Sequence, residues 1–306
     1  MERFNKKTMS IYSSEYDRLI QKEIEAWSTY TSSDDAVSNF AALKNTHSYL
    51  TYRKGTIEME LRYIKNLGGS ISVLELGSAD GWLSNEIASL PNVKDITSID
   101  ISLENNKSKY GAKAYALRGD LNKIDEIHFD QKYMCIITHG TLHHLVDPKK
   151  TLAFCLDNLL LPGGILIVND TWILKASQLK INACFYLGIN KLGHALLQGN
   201  LKEVGTILFY KIPKVITNFN YANRIAHAQD TSPFESVSSA DDYKELYERD
   251  DVQVLHFERR CALPGLQNSW MKSPIFIKKI IQVLDSFLIR TNLLPGDLHI
   301  CIVKKV

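Results

Sequence analysis

The feature of the sequence that most constrains its fold is the alternation of short apolar runs with helical patterns between residues 71 and 170. Five of these runs predict strands, and they read SVLEL, DITSID, AYALRG, YMCIITH and GILIVND. Apolar runs of this kind suit strands that are covered on both faces, and strands that alternate with helices usually pair in parallel. We therefore predict an α/β fold, a Rossmann-like open, mostly parallel sheet with helices on both faces.

The flanking sequence divides the chain into four predicted units. Residues 1–70 carry helical periodicity, and 71–170 form the predicted ligand-binding core. Residues 171–238 have long helical patterns interrupted by glycines, which predicts a helical insert. Residues 239–306 contain helical patterns and the strand-like runs DVQVLHFERR and DLHICIVKK, which would complete the sheet.

Composition excludes several classes of protein. Lys and Arg number 36 against 34 Asp and Glu, so the net charge of +2 gives no electrostatic footprint of nucleic-acid binding. The five cysteines are scattered without a C-x-x-C pair, which disfavours a disulfide framework and favours a reducing compartment. The polar N-terminus lacks the apolar core of a signal peptide, and no apolar run reaches the roughly 18 residues that a membrane span needs. These observations predict a cytoplasmic protein.

The turn after the first predicted strand reads E-L-G-S-A-D-G, from Glu75 to Gly81. In an open parallel sheet, ligands bind at the carboxyl ends of the strands, and this turn is the usual cradle. A dinucleotide would need G-x-G-x-x-G, but Ala79 replaces the middle glycine and Trp82 replaces the third. A nicotinamide-dependent oxidoreductase is therefore the weaker alternative. Glu75 and Asp80 flank the turn and favour a cationic ligand without phosphates.

Four further motifs follow this turn in order, and they read TSID, LRGDL, THGTLHHLVDP and LLPGGILIVND. With them, residues 70–170 resemble the class I S-adenosylmethionine-dependent methyltransferases, in particular those that act on small molecules. The resemblance implies that S-adenosylmethionine is the cofactor and that the activity is in-line methyl transfer. The chain departs from the family pattern at Ala79, a substitution that such loops accommodate.

The resemblance also assigns cofactor-binding residues. It places both ribose hydroxyls on the acid that ends the second strand, Asp100, and the adenine amino group on Asp120. The predicted cofactor-binding residues are Glu75, Gly77, Ser78, Ala79, Gly81, Asp100, Ile101, Asp120, Leu121 and His139. Each has a structural alternative, because glycines can simply permit positive φ and aspartates can cap helices or end strands. Asp170, after the fifth strand, fits a helix cap and an acceptor contact equally well.

Two adjacent histidines, His143 and His144, follow the fourth predicted strand and are the candidate catalytic residues. A histidine titrates near neutral pH and can serve as a base when the acceptor must lose a proton. The alternative is a pair of hydrogen-bonded loop histidines without a catalytic role. Their spacing includes no cysteine or carboxylate partner of the kind that zinc sites use, so no metal is predicted. O-, N- and C-methylation all remain open.

The acceptor is predicted from residues 171–229, where Glu203 is the single acid among lysines and aromatic residues. We predict that this segment closes over the donor as a lid, with Trp172, Phe185, Tyr186 and Tyr221 near the methyl group, and admits a small apolar or anionic acceptor. The alternatives are a helical subdomain with a solvated basic face and contact with a membrane surface. Nucleic acid is not expected as a substrate. After the fourth strand, the family's DNA-base enzymes carry Asn or Asp followed by Pro-Pro and an aromatic residue, whereas this chain has THGT. A non-catalytic regulator that keeps the fold is a third hypothesis, and the oligomeric state is left open.

Overall fold

The computed structural model describes residues 10–32, 54–102, 111–171, 191–192, 195–196, 198–218, 233–234, 243–260, 283–284, 286–291, 293 and 298–306. The strands are β1 (Ile71–Leu76), β2 (Val93–Asp100), β3 (Ala114–Arg118), β4 (Tyr133–His139), β5 (Leu160–Thr171), β6 (Val252–Arg260) and β7 (Leu298–Lys305). The α-helices are α1 (Ser14–Ser32), α2 (Lys54–Lys65), α3 (Trp82–Ala88), α4 (Pro148–Phe154), α5 (Leu201–Thr206), α6 (Ile212–Asn218) and α7 (Lys244–Tyr247). Short 3-10 helices span Leu121–Glu126 and Leu142–His144, and π-helical turns span Cys155–Leu159 and Ile207–Lys211.

The strands form a seven-stranded sheet in the order β3-β2-β1-β4-β5-β7-β6. The pairs β3–β2, β2–β1, β1–β4 and β4–β5 are parallel, whereas β7 runs antiparallel to both β5 and β6. The predicted Rossmann-like, mostly parallel sheet is therefore confirmed. The strand order reverses between β1 and β4, which is the position where open α/β sheets bind their ligands.

Both faces of the sheet are covered by apolar side chains. In β1, Leu74 and Leu76 belong to one core cluster and Val73 belongs to the cluster on the opposite face. The first cluster includes residues of α4 and α7, and the second includes residues of α2 and α3. Because successive side chains of a strand point to opposite faces, a strand buried on both sides must be apolar at nearly every position. That requirement explains the continuous apolar runs from which the sheet was predicted.

Helix α1 is amphipathic and presents its buried face towards the carboxyl edge of the sheet. Tyr16, Leu19, Ile20 and Glu23 are buried at helical spacing. The ring of Tyr16 packs against Phe234 with ring centroids 5.6 Å apart. A carboxylate that is buried on an otherwise apolar face requires hydrogen-bond donors. The donors to Glu23 are described with the functional site below.

Part of the predicted insert lies within the described residues. Residues 201–218 form a continuous helical stretch made of α5, a π-helical turn and α6. The sequence predicted helix here with breaks at Gly205 and Pro213, but the helical stretch runs through both. Trp172, Phe185, Tyr186 and Tyr221, on which the lid prediction rests, lie outside the described residues. The lid and the four domain boundaries therefore stay predictions. In the described part of the chain, no helix has the length and apolar character needed to cross a membrane.

Candidate functional site

A cavity of about 270 Å³ opens between α1 and the carboxyl ends of β1, β2 and β4. Its described lining residues are Ile20, Glu23, Trp27, Gly77, Ala79, Asp100, Ile101, Gly119, Asp120, Leu121, Asn122, His139, Gly140, Thr141, His144, Leu145 and Phe234. This is the edge of the sheet at which the sequence predicted a ligand. The N-terminal helix α1 supplies one wall, which the sequence did not predict.

The turn between β1 and α3 forms the floor of the cavity. The backbone N–H groups of Gly77 and Ser78 both donate to the carbonyl oxygen of Ile99, at 2.8 and 3.1 Å. Gly77, Ala79 and Gly81 all adopt positive φ, of 75°, 45° and 75°. A Cβ atom at Gly77 would lie 2.0 Å from Oγ1 of Thr141. Gly77 is thus required by its φ angle and by the loop after β4, which packs directly on the turn.

Glu75 is buried inside the turn and does not line the cavity. It accepts a hydrogen bond from the hydroxyl of Ser84 in α3, and that hydroxyl lies 2.8 Å from Oγ of Ser98. Burial raises the pKa of Glu75 to about 8, although the hydrogen bond from Ser84 opposes the shift. Ser78 and Gly81, also predicted to contact the cofactor, likewise lie outside the described lining. These three residues belong to the β1–α3 turn but do not face the cavity.

Asp100 lies at the end of β2 with its carboxylate on the cavity. One oxygen accepts from the N–H of Ala79 at 2.8 Å, and the other accepts from the N–H and hydroxyl of Ser102 at 2.8 and 2.6 Å. These three donors occupy three of the roughly four acceptor positions of a carboxylate, so one position remains for a ribose hydroxyl. Ile101, the next residue, also lines the cavity.

Asp120 caps the 3-10 helix that follows β3, in agreement with the structural alternative for this residue. Its Oδ1 accepts from the backbone N–H of Asn122 at 3.0 Å, and its Oδ2 accepts from the hydroxyl of Tyr16 in α1. Burial and the nearby carboxylate raise the pKa of Tyr16, which keeps the hydroxyl protonated as a donor. Asp120 and Leu121 both line the cavity. The Tyr16–Asp120 hydrogen bond therefore ties α1 to the cavity wall.

His139 lines the cavity at the end of β4 and belongs to a polar network beneath it. Its Nδ1 lies 3.0 Å from Nδ2 of Asn169 and 3.4 Å from Oε2 of Glu60. The Asn169 amide donates to Oε1 of Glu60 at 2.5 Å. Glu60 is fully buried in α2. The side chain of His139 is therefore held by this network.

The two candidate catalytic histidines differ in their surroundings. His143 has its Nδ1 2.5 Å from Oδ1 of Asp170, and Oδ2 of Asp170 accepts from the backbone N–H of Leu142 at 2.5 Å. His144 lines the cavity, and its Nδ1 lies 3.2 Å from Oε1 of Glu23 in α1. Burial lowers the pKa of His144, although Glu23 opposes the shift. Asp170 thus contacts the histidine that lies outside the described lining.

The charge of the cavity has one sign. Glu23, Asp100 and Asp120 contribute carboxylates, while the described lining residues include no lysine or arginine. Such a lining favours a ligand that carries positive charge. Among the described residues, no group of three or more His, Cys, Asp or Glu side chains is arranged to hold a metal ion.

Several lining residues were not predicted from the sequence. Ile20, Glu23 and Trp27 come from α1, and Thr141 comes from the loop after β4. The 20-23-27 spacing is a helical signal, but it indicates only that these side chains share a face. The same pattern is typical of a core-facing helix, so periodicity alone cannot identify a cavity wall.

The fold and the cavity agree with the class that the sequence predicts, a class I, S-adenosylmethionine-dependent methyltransferase. A family model described as a methyltransferase domain matches residues 39–190, and the chain carries that domain. The class predicted from the sequence is confirmed. No curated protein sequence matches the chain.

Several solved structures are similar to the chain at low sequence identity. The plantazolicin methyltransferase BpumL, in complex with S-adenosylhomocysteine (SAH), is 15% identical over 95% of this chain and 97% of its own, with a TM-score of 0.48. A proposed sarcosine dimethylglycine methyltransferase from Galdieria sulphuraria is 15% identical over 83% and 85%, with a TM-score of 0.47. The N-methyltransferase NodS from Bradyrhizobium japonicum WM9, in complex with SAH, is 16% identical over 49% and 74%, with a TM-score of 0.39. At this identity the likeness concerns the fold alone.

Proposed function

We propose that the chain transfers a methyl group from S-adenosylmethionine to an oxygen or nitrogen atom of a small molecule in the cavity beside α1. The observation that carries this proposal is the lining itself. Gly77, Asp100 and Asp120, expected around the cofactor, surround the same cavity as His144, a candidate base. A donor site and a proton acceptor that share one cavity are what methyl transfer to an ionisable group requires.

The residues of the cavity fit the cationic donor. When bound, S-adenosylmethionine supplies a methyl group that is already activated. The remaining acceptor position of the Asp100 carboxylate would take a ribose hydroxyl, and the Leu121 backbone and the Asp120 side chain would contact the adenine. The apolar side chains of Ile20, Trp27 and Phe234 would exclude water. Because positioning and desolvation supply most of the rate in such a reaction, few catalytic groups are needed.

The acceptor is proposed to be neutral or cationic. The carboxylates of Glu23, Asp100 and Asp120 would repel an anionic group. The lysines from which an anionic acceptor was inferred belong to residues 171–229, and none of the described residues of that segment lines the cavity.

The cellular setting is also a proposal. We propose a cytoplasmic enzyme that acts on small molecules and not on nucleic acid. Its support is the near balance of charge and the free, buried thiols of Cys135, Cys155 and Cys301. Contact of the 171–229 segment with a membrane surface remains an alternative proposal, which liposome binding would test. The oligomeric state is left open.

Cofactor binding is tested by titration of SAH into the Asp100→Asn variant. Loss of charged hydrogen bonds, worth about 1.5–3 kcal/mol, should weaken SAH binding about tenfold or more by calorimetry. The matched control is Asp95→Asn, because Asp95 lies at the other end of β2 and accepts from Gln131. Unchanged SAH affinity in the Asp100 variant would contradict the assignment of the ribose site.

Activity is tested with S-adenosylmethionine carrying a labelled methyl group and a panel of small amines, alcohols and phenols. Transfer of label to a panel member identifies the acceptor class. A chain that binds SAH but transfers label to none of a broad panel would favour the regulator hypothesis.

A further inference from the structure

Glu23 is a buried carboxylate at the centre of the α1 face that covers the cavity. It is 3% exposed, and its Oε1 accepts a hydrogen bond from Nε1 of Trp27 at 2.8 Å. The same oxygen lies 3.2 Å from Nδ1 of His144. The indole of Trp27 meets the His144 ring edge-on, with ring centroids 5.1 Å apart. α1 therefore fixes both the orientation of the His144 ring and the partner of its Nδ1.

This contact decides the tautomer of a neutral His144. A carboxylate oxygen can only accept, so the hydrogen of the imidazole must reside on Nδ1. The basic lone pair is then on Nε2. A carboxylate that holds one nitrogen of a histidine while the other nitrogen acts as a base is a recurring catalytic arrangement.

The neighbouring pair, His143 and Asp170, has a different role. Asp170 accepts from Nδ1 of His143 and from the backbone N–H groups of Leu142 and His143. One carboxylate thus satisfies three donors of the loop after β4, which fixes the backbone of that loop. His143 also lies outside the described lining of the cavity, whereas His144 lies on it. Geometry therefore favours His144 as the residue that meets the acceptor.

We infer that His144 is the general base of methyl transfer and that Glu23, from the N-terminal helix, is its positioning residue. This inference rests on the proposed function and specifies its acceptor as one that must lose a proton. The acceptor gives the proton of its O–H or N–H to Nε2 of His144, and the electron pair left behind forms the bond to the methyl carbon. The electron pair of the broken carbon–sulfur bond stays on sulfur. The products are the methylated acceptor, SAH and an imidazolium beside Glu23.

The charges around His144 suit this role. Burial lowers its pKa, so the imidazole is neutral and able to accept a proton near pH 7. Glu23 on α1 and Asp170 on β5 favour the protonated form, while His143, with its ring centroid 4.0 Å away, opposes it. The imidazolium formed during the reaction is therefore stabilised by carboxylates from two different elements.

The first experiment reads the tautomer of His144 by nitrogen-15 NMR of its ring, assigned by comparison with His144→Gln. The wild-type ring should carry its hydrogen on Nδ1. In Glu23→Ala the acceptor is gone, and the hydrogen should move towards Nε2. The matched control is Glu25→Ala on the exposed side of the same helix, which should leave the spectrum unchanged. Hydrogen on Nε2 in the wild-type protein would overturn the inference.

The second experiment measures the basicity of His144 from inside the cavity. Diethyl pyrocarbonate modifies neutral imidazole, and peptide mass spectrometry at a series of pH values gives the pKa of each modified histidine. His144 should react, SAH should protect it, and Glu23→Gln should lower its pKa by about one pH unit or more while Glu25→Gln does not. An unreactive His144, or a pH profile that Glu23→Gln leaves in place, would overturn the inference.

The two proposals fail separately in these experiments. Absence of SAH binding by calorimetry would defeat the proposed function, whatever the state of His144. Normal SAH binding with a His144 tautomer and pKa that do not depend on Glu23 would overturn the inference about His144 and Glu23 and leave the proposed function in place. Circular dichroism of each variant shows whether it has folded, and Glu23→Gln, which preserves the shape of the side chain, covers the case in which Glu23→Ala does not fold.

Discussion

Ala79 adopts a φ of 45°, and it is the one described residue other than glycine with positive φ. The left-handed conformation costs a residue with a Cβ atom roughly 1–2 kcal/mol. Here the hydrogen bond from its N–H to Asp100 offsets that cost. Asp100 therefore organises the β1–α3 turn in addition to its proposed contact with the ribose. The family pattern places glycine at this position because glycine needs no such compensation.

Gly77→Ala should destabilise the protein more than a second glycine substitution with the same backbone angle. Gly163 has a φ of 77° and open space where a Cβ atom would lie, so Gly163→Ala should cost about 1–2 kcal/mol. Gly77→Ala should cost roughly 1–3 kcal/mol more, because its Cβ atom would overlap Thr141. Denaturant unfolding of both variants measures the difference. Equal losses would mean that the Thr141 loop moves aside freely.

Glu75 should make stability fall as pH rises. Its pKa is raised by burial from 4.5 to about 8, so the folded protein keeps a proton that the unfolded chain has lost across that range. The contribution of Glu75 to the free energy of unfolding is fully present below pH 4.5 and is lost as the pH rises through about 8. Denaturant unfolding at pH 5, 6.5 and 8 should show this slope in the wild-type protein. Glu75→Gln should flatten it, and an unaltered slope would assign the effect to another group.

At the scale of elements, α1 is the unit whose role the structure changes most. It supplies Glu23 and Trp27 to the cavity, and it is anchored by the hydrogen bond from Tyr16 to Asp120. The buried residues of α1 also pack against Ile101 and Val146, so these apolar contacts add to the attachment of the helix to the core. Its docking and the assembly of the Glu23–His144 pair are therefore coupled.

Tyr16→Phe should loosen α1 without unfolding the sheet. The variant loses a hydrogen bond to a carboxylate, worth about 1.5–3 kcal/mol, while it keeps the packing on Phe234. Amide hydrogen exchange in α1 should accelerate about tenfold or more, and exchange in β1 and β4 should change little. Tyr115→Phe is the control, because Tyr115 is 64% exposed and lies in β3 and not in α1. Exchange in α1 at the wild-type rate would show that Tyr16 does not anchor the helix.

At the level of the whole molecule, the last described strand, β7, joins β6 to the rest of the sheet. β7 lies between β5 and β6, and it is antiparallel to both. Its Ile300, Cys301, Ile302 and Val303 are fully buried, and they contribute to the clusters on both faces. The last described strand thus occupies an interior position in the sheet.

Truncation after residue 297 should therefore abolish cooperative folding. It removes the pairing partner of both β5 and β6 and exposes apolar surface on both faces of the sheet. Circular dichroism during thermal unfolding should show no cooperative transition in the truncated chain. Removal of Val306 alone, which is 73% exposed, is the matched control and should leave the transition nearly in place. A cooperative transition in the truncated chain would show that β1–β5 fold alone.

Local sequence patterns were sufficient to predict the sheet and the edge of the sheet at which the cavity lies. Apolar runs such as SVLEL and YMCIITH match β1 and β4 closely, because a strand buried on both faces leaves an unbroken apolar run. Gly77 and Asp100 could be located from the same apolar runs, because Gly77 follows the end of β1 and Asp100 is the last residue of β2. The wall opposite these residues, which α1 supplies, could not be predicted from local patterns. Tyr16 and Asp120 are 104 residues apart, and nothing in the amphipathic pattern of α1 tells whether its buried face meets a core or a cavity. The difference between His143 and His144 also depends on tertiary structure. The two side chains are adjacent and identical, but His143 contacts Asp170 of β5 and His144 contacts Glu23 of α1.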